Sequence, residues 1–249
     1  RGKLLKALDF LGYVYLVREY GVSRLYGTGD QSAFSAANLY VAGGGLYGGG
    51  TIVCGDVIIM TGADGLYAFD GYSASRKLRA VRLAPSPDAS AVYADGKYYL
   101  AARTSEESEG NDTLIVFDID DGTFSLSRIP VTRLCKLGGE VYAILSDGRA
   151  GKVERCGALL GEPLVKLWES GALDYGTPAI KTVSEVTLRT SGNVTLVVEC
   201  DEKRKEFAVS GGGTRRVRPA IGGRVVRLGI KSAETGARIS RLCCLIRSG

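Results

Sequence analysis

The stretch that most constrains the fold is residues 51–71, TIVCGDVIIMTGADGLYAFDG. Residues 56–61 are mostly apolar and rich in β-branched side chains, and small and large residues alternate after the Asp64-Gly65 pair. A two-residue Asp-Gly link between two such runs is the strongest short-range signal of a β-hairpin. We therefore predict a hairpin that turns at Asp64-Gly65, with Val57, Ile59 and either Leu66 or Ala68 on its one buried face.

The same unit recurs along the first part of the chain. Asp-Gly pairs begin at positions 64, 70, 95, 121 and 147, and the turns at 64, 95, 121 and 147 are separated by 31, 26 and 26 residues. An earlier copy over residues 13–26 turns at Tyr20-Gly21. Such spacing indicates successive small antiparallel sheets, each too small to be stable alone. We expect an all-β fold that begins with a β-propeller-like array of four or five such sheets.

Two glycine triplets, residues 43–45 and 48–50, precede the hairpin at 51–71. A phosphate-binding loop would require Gly-Lys-Ser or Gly-Lys-Thr at the start of a helix. Here Gly50 leads instead into Thr51-Ile-Val-Cys, which is typical of a strand. We expect the triplets to form a flexible connection between sheets.

The pattern changes near residue 170, after the only tryptophan, Trp168. Longer alternating runs follow Pro178, including VTLRT, VTLVVE and RVVRLGI. These runs predict a C-terminal β-sandwich-like module over residues 173–249, after a propeller-like domain over residues 1–172. The alternative is that the C-terminal strands close the propeller.

Charge is distributed unevenly along the chain. Residues 203–249 contain twelve Lys and Arg against two Glu, a net charge of +10, so residues 1–202 carry −5 of the total of +5. Such a basic module favours contact with an acidic partner. We predict that the partner-binding residues are Arg215, Arg216, Arg218, Arg224 and Arg227. Nucleic acid is an unlikely partner because aromatic side chains for base stacking are scarce here, and a merely solvated basic face is the alternative.

Composition also excludes several kinds of site. The chain has no histidine, the commonest general base and metal ligand. Its six cysteines form no C-x-x-C pair, which is typical of reduced, buried thiols. We therefore expect no metal and no cofactor. No apolar run reaches the roughly 18 residues that a membrane helix needs, so no membrane contact is expected.

Several stretches resemble structural proteins of tailed bacteriophages and prophages. They are LVREYGVSRLYG, TIVCGDVIIMTGADGLYAFDG, LWESGALDYGTPAIKTVSEVTL and GGRVVRLGIKS, and together they span about residues 12–232. The resemblance implies a β-propeller followed by a β-rich region. It also implies a non-catalytic scaffold of a virion tail or neck, assembled in the bacterial host cytoplasm. Its partners would be other virion or tail proteins, with self-association into a ring. The chain lacks an initiator Met, so we expect the propeller to be incomplete at its N-terminus.

Two other functions remain open at this stage. A propeller-type glycoside hydrolase needs two carboxylates facing each other across a pocket, and Asp56, Asp64, Asp70 and Asp95 lie at strand ends or turns. Aspartates in turns usually serve backbone hydrogen bonding instead. A carbohydrate- or peptide-binding module is the other alternative, and it predicts an aromatic-lined cavity.

Overall fold

The structure is a computed structural model that describes residues 2–248 except 28, 80, 87, 154–157, 160–161, 164 and 235. It confirms the all-β prediction, since the described chain forms small antiparallel sheets and one short 3₁₀ helix at Gln31–Ala33. No helix in the described part is long and apolar enough to cross a membrane. The chain divides into two compact units, Arg1–Val153 and Glu154–Gly249.

The first unit contains four sheets in chain order, each with its strands in sequential order. The first sheet is formed by β1 (Leu4–Phe10), β2 (Tyr13–Arg18), β3 (Gly21–Tyr26) and β4 (Ser35–Val41). The second is formed by β5 (Leu46–Cys54), β6 (Val57–Gly62), β7 (Gly65–Phe69) and β8 (Ala74–Leu78). The third is formed by β9 (Ser90–Ala94), β10 (Lys97–Ala102), β11 (Thr113–Asp118) and β12 (Phe124–Ser127). The fourth is formed by β13 (Val131–Leu137), β14 (Glu140–Leu145) and β15 (Ala150–Lys152).

The predicted hairpin at 51–71 is present, but its turn lies one residue earlier than expected. Gly62 pairs with Gly65, so the two-residue loop is Ala63-Asp64 and Gly65 begins β7. Gly65 has φ +130°, and a Cβ atom there would lie 1.8 Å from the Leu78 carbonyl oxygen. Glycine is therefore required at this position for two reasons, the positive φ at the start of β7 and the close approach of β8.

The prediction of one buried face for this hairpin was also incomplete. Ile59, Leu66 and Ala68 are buried as expected, and Val57 packs against them with partial exposure. Ile58 and Met60 on the opposite face are buried as well. The second sheet is covered on both sides, which explains why β6 is continuously apolar instead of alternating.

The second glycine triplet is not a flexible connection, because Gly48, Gly49 and Gly50 lie within β5. A Cβ on Gly49 would lie 2.8 Å from the Ala89 Cβ, and one on Gly50 would lie 2.6 Å from a Leu100 methyl carbon. The triplet therefore allows the third sheet to approach β5 closely.

The first strands of successive sheets contact one another, β1 with β5, β5 with β9 and β9 with β13. The Lys6 ammonium of β1 donates to the Thr51 carbonyl of β5 at 2.8 Å. The Ser90 hydroxyl of β9 accepts the Leu134 N–H of β13 at 3.0 Å. The four sheets thus form a regular series, stacked in chain order.

The second unit consists of two four-stranded sheets and a short hairpin, β16 (Ala158–Leu159) and β17 (Glu162–Pro163). One sheet is formed by β18 (Lys166–Glu169), β24 (Val226–Ser232), β20 (Val194–Cys200) and β21 (Lys203–Val209). The other centres on β19 (Lys181–Ser191), with β22 (Gly213–Val217) and β23 (Ile221–Gly223) on one side and β25 (Arg238–Ser248) on the other. Because β18 pairs with β24, the division falls before the boundary at 172–173 that the sequence suggested.

The two four-stranded sheets of the second unit share one hydrophobic core. Alternate residues of β19, β20 and β24 are buried in it, among them Val186, Leu196 and Leu228. The intervening residues of the same strands point away from the core, so each sheet has one outer face.

Candidate interaction surface

The outer face of the β22–β19–β25 sheet is set by a strict alternation along β25. Leu242, Cys244 and Ile246 pack against the core, whereas the residues between them are exposed. Arg241 and Arg247 therefore lie on the outer face. This pattern also places Cys243 and Cys244 on opposite sides of the strand.

The neighbouring strands add further arginines to the same face. Arg189 of β19 lies opposite Arg241, and Thr187 lies between Arg216 of β22 and Cys243 of β25. Arg218 directly follows β22. Arg238 lies opposite Ser191 at the start of β25. We call this surface the arginine face, and its members are Arg189, Arg216, Arg218, Arg238, Arg241 and Arg247.

Glu185 is the one carboxylate among the described residues of the arginine face. Its two oxygens lie 3.8 Å from Arg216 Nε and 3.6 Å from Arg218 Nε. Both guanidinium groups are largely exposed, so each ion pair is weak. No ion pair joins the other four arginines to a described carboxylate.

Arg189 and Arg241 form a like-charged cross-strand pair. Side chains directly opposite one another on antiparallel strands have Cβ atoms only about 5 Å apart, and like charges there are destabilising. The unit thus retains an unfavourable contact on this face. The Arg241 Nε donates to the Cys243 sulfur at 3.3 Å, which leaves the rest of its guanidinium available to a partner.

An exposed apolar side chain lies among the arginines. Leu245 pairs with Glu185 across the strands and is 54% exposed. An apolar centre with a charged surround is the usual organisation of a protein–protein interface.

The outer face of the β18–β24–β20–β21 sheet is different, because its charges are paired. Arg227 lies opposite Glu199, with 3.7 Å between their charged atoms. Glu206 contacts Lys231 at 2.7 Å and Arg204 at 3.0 Å. The hydrogen bonds from Lys231 and Arg204 hold the pKa of Glu206 below its usual value. We call this surface the paired face.

The five arginines predicted from the sequence do not share one surface. Arg216 and Arg218 belong to the arginine face, whereas Arg227 belongs to the paired face. Arg215 lies opposite the buried Leu188, on the other side of β22 from Arg216, and Arg224 lies in the turn after β23. The count of charges was right, but the two faces are separated by the strand register, which a count of charges does not contain.

The prediction omitted Arg189, Arg238, Arg241 and Arg247 from its set of partner-binding residues. A signal for two of them was available, since an even separation within RLCCLIR places Arg241 and Arg247 on one side of a strand. Arg189 joins them only through the pairing of β19 with β25, strands that are distant in sequence.

A buried cation also escaped the sequence analysis. Lys181 is almost completely buried at the start of β19. Its ammonium donates to the carbonyls of Thr177, Ala179 and Arg224 at 2.6, 2.9 and 2.8 Å. All three donors of the ammonium are satisfied, so Lys181 ties β19 to the segment before it and to the turn before β24.

The aspartates considered for catalysis are engaged in local structure where the structure shows their contacts. The Asp70 carboxylate accepts the N–H groups of Tyr72 and Ser73, and Asp64 accepts the Tyr67 hydroxyl at 2.7 Å. Within the described ranges, no group of three or more Cys, Asp or Glu is placed to hold a metal ion.

A shallow apolar groove of about 150 Å³ lies at one edge of the second unit. It is lined by Trp168, which is 52% exposed, and by Val194, Ile230 and Ile239. This groove is the nearest feature to an aromatic-lined site in the second unit's described residues.

Comparison with known proteins gives no match, either among models of protein families or among curated proteins. Function is therefore inferred from the chain's own residues and their geometry.

Proposed function

We propose that the protein is a non-catalytic structural component of a phage or prophage tail or neck assembly. In this role the arginine face binds an acidic surface of another virion protein, and assembly takes place in the bacterial host cytoplasm. The observation that carries the binding role is the arginine face, which has six arginines and one described carboxylate on one side of one sheet. The assignment to a virion rests on the sequence resemblance.

The sheets of the first unit support a scaffold role. Consecutive sheets stack in chain order, their first strands contact one another, and the second sheet is buried on both sides. A β-propeller repeats the same relation around an axis. These contacts support a propeller-like array in the first unit, and the two sheets around one core support a sandwich-like second unit.

The composition of the arginine face favours a protein partner over nucleic acid. All six cationic side chains are arginine, which is enriched in protein interfaces, whereas lysine is depleted. Leu245 adds an apolar centre. Binding of a single-stranded nucleic acid would call for aromatic platforms, and none is among the outward residues described on this face.

Electrostatics explain why such a face would be retained. The Arg189–Arg241 contact costs the isolated unit roughly 0.2–1 kcal/mol. A partner that places carboxylates between these guanidinium groups removes the repulsion and forms charge-assisted hydrogen bonds. Encounter with that partner is faster and depends on salt.

The test is incorporation of the protein into virus particles. Particles are purified from the phage or prophage-bearing strain that encodes the protein, with a wild-type copy or with Arg216, Arg218 and Arg241 changed to Glu. We expect wild-type protein in the tail or neck, located by immuno-electron microscopy, and at least a tenfold loss for the triple variant.

The matched control changes Lys77, Arg79 and Arg128, three exposed cations of the first unit, to Glu, which gives the same change in net charge. We expect this control to be incorporated like wild type. Absence of the wild-type protein from purified particles would refute the virion role. Equal loss in both variants would show that total charge matters and the arginine face does not.

The alternative of a carbohydrate- or peptide-binding module has one observation in its favour, the exposed Trp168 beside its groove. Saccharide binding that is lost in Trp168→Ala and kept in the triple arginine variant would favour that alternative.

A further inference from the structure

The four sheets of the first unit can be aligned residue by residue at their first turn. Each first strand is joined to the second by two residues: Leu11-Gly12, Gly55-Asp56, Asp95-Gly96 and Gly138-Gly139. The second strands therefore begin at equivalent positions. These are Tyr13, Val57, Lys97 and Glu140.

The second and fourth residues of each second strand face the preceding sheet. In the second sheet these residues are Ile58 and Met60, which share a core with Tyr15 and Val17 of the first sheet. In the third sheet they are Tyr98 and Leu100, which share a core with residues of the second sheet.

The fourth sheet follows the same rule. Its second and fourth residues are Val141 and Ala143, and both are buried. The third and fifth residues of a second strand face the opposite way, as Ile59 does toward the third sheet. Each sheet therefore has a leading face toward its predecessor and a trailing face toward its successor.

The leading face of the first sheet is apolar but not covered. Its equivalent residues are Val14, which is 41% exposed, and the half-buried Leu16. Leu25 in β3 corresponds to Phe69 in β7, which is fully buried against the first sheet. Leu25 remains half-buried. The leading face of the first sheet thus has apolar side chains like those that bury the second sheet against its predecessor, but here they remain partly exposed.

The trailing face of the fourth sheet is complementary to the leading face of the first sheet. Tyr142 and Ile144 occupy the third and fifth positions, and Ile144 is 37% exposed. Cys135 and Arg133 of β13 lie opposite these two residues and are exposed as well. Arg133 takes the position of Lys6 and Ser90, which contact the first strand of the next sheet. The first strand of the leading face carries an exposed carboxylate, Asp9, opposite Val14.

We propose that the leading face of the first sheet binds the trailing face of the fourth sheet of a second copy of this chain. Two copies joined in both directions close into a ring of eight sheets, within the range of four to eight that propellers use. The contact would be heterologous but closed, which prevents open-ended association. This inference rests on the proposed propeller-like arrangement and does not involve the arginine face.

The contacts between successive sheets of the first unit indicate what binds the two exposed faces. Three successive leading–trailing contacts hold the first unit together, and the unused faces at its two ends have the same residue types in the same positions. A second copy of the chain supplies both missing surfaces at once. A partner of a different fold would have to reproduce them.

The test is the oligomeric state of the full chain, measured by sedimentation velocity and native mass spectrometry over a concentration series. Val14→Glu disrupts the leading face and Ile144→Glu the trailing face. We expect wild-type dimers, and a dissociation constant raised about 30-fold or more in each variant, the size of a hot-spot loss. Leu126→Glu in β12, at a similarly exposed strand position on neither of these two faces, is the control and should dimerise normally.

A charge exchange guards against variants that merely unfold. Asp9→Arg and Arg133→Asp should each weaken the dimer, and the double variant should restore it. A wild-type chain that is monomeric at every concentration would overturn the inference. So would a dimer that is insensitive to both glutamate variants but is lost on reversal of Arg216, Arg218 and Arg241, an outcome that leaves the proposed function in place.

Discussion

The two outer faces of the second unit have the same backbone arrangement but differ in how their charged side chains are paired. Both consist of alternate residues from strands that share one core. On the paired face, Arg227 lies opposite Glu199, and Glu206 contacts Arg204 and Lys231. On the arginine face, Arg189 lies opposite Arg241 and one glutamate serves two arginines.

This difference shows that the strand register determines which charged side chains are neighbours. Composition gives only the number of charges. Arg227 and Arg189 are both exposed arginines in the middle of a β-sheet. Arg227 neutralises the Glu199 carboxylate and supports the fold. Arg189 repels Arg241 and is available to a partner. The net charge of +10 over residues 203–249 includes both kinds of arginine, Arg227 of the first kind and Arg241 of the second.

The largest expected effect comes from the residue on which both faces depend, Lys181. Lys181→Met leaves the carbonyls of Thr177, Ala179 and Arg224 buried without their donor. We expect the free energy of unfolding of the second unit to fall by about 3 kcal/mol or more, because hydrogen bonds to a charged group contribute about 1.5–3 kcal/mol each. Urea denaturation followed by Trp168 fluorescence measures this unit alone, since the chain has no other tryptophan.

The control for this measurement is Lys231→Met on the paired face. Its ammonium is partly exposed and contacts Glu206, so the loss should stay below about 1 kcal/mol. If Lys181→Met were as mild as Lys231→Met, the ammonium would not be what joins the two sheets.

The second prediction is a difference in sign between the two faces. Arg189→Thr removes the repulsion with Arg241 and should raise the free energy of unfolding by roughly 0.2–1 kcal/mol. Arg227→Thr removes the attraction to Glu199 and should lower the free energy of unfolding by a similarly small amount. Both replace an exposed strand arginine by the same strand-forming residue, so each serves as the control for the other. A change of the same sign in both would mean that the two faces do not differ electrostatically.

The comparison also shows which parts of the molecule the sequence could predict. Hairpins were predictable because alternation and Asp-Gly pairs are local signals, as at Asp95-Gly96, where the two residues do form the turn. The two faces were not, because they depend on the pairing of β19 with β25, about sixty residues apart. Gly48–Gly50 was misassigned for the same reason, since the atoms that require glycine there belong to the third sheet.

The smallest expected effect is a dependence on acid that belongs to the paired face. Glu206 has its pKa lowered in the folded state by hydrogen bonds from Lys231 and Arg204. A carboxyl with a lowered folded pKa contributes stability above its unfolded pKa of about 4.3 and loses that contribution as the pH falls. Protonation of Glu206 then leaves Arg204 and Lys231 with less compensation, so acid makes the paired face resemble the arginine face. We expect the urea midpoint followed by Trp168 to fall on acidification, and to fall less in Glu206→Gln than in wild type. Arg189→Thr should keep the wild-type slope, because it leaves Glu206 and the two cations that pair with it unchanged. Equal slopes for wild type and Glu206→Gln would show that the pairing of Glu206 contributes nothing measurable to the fold.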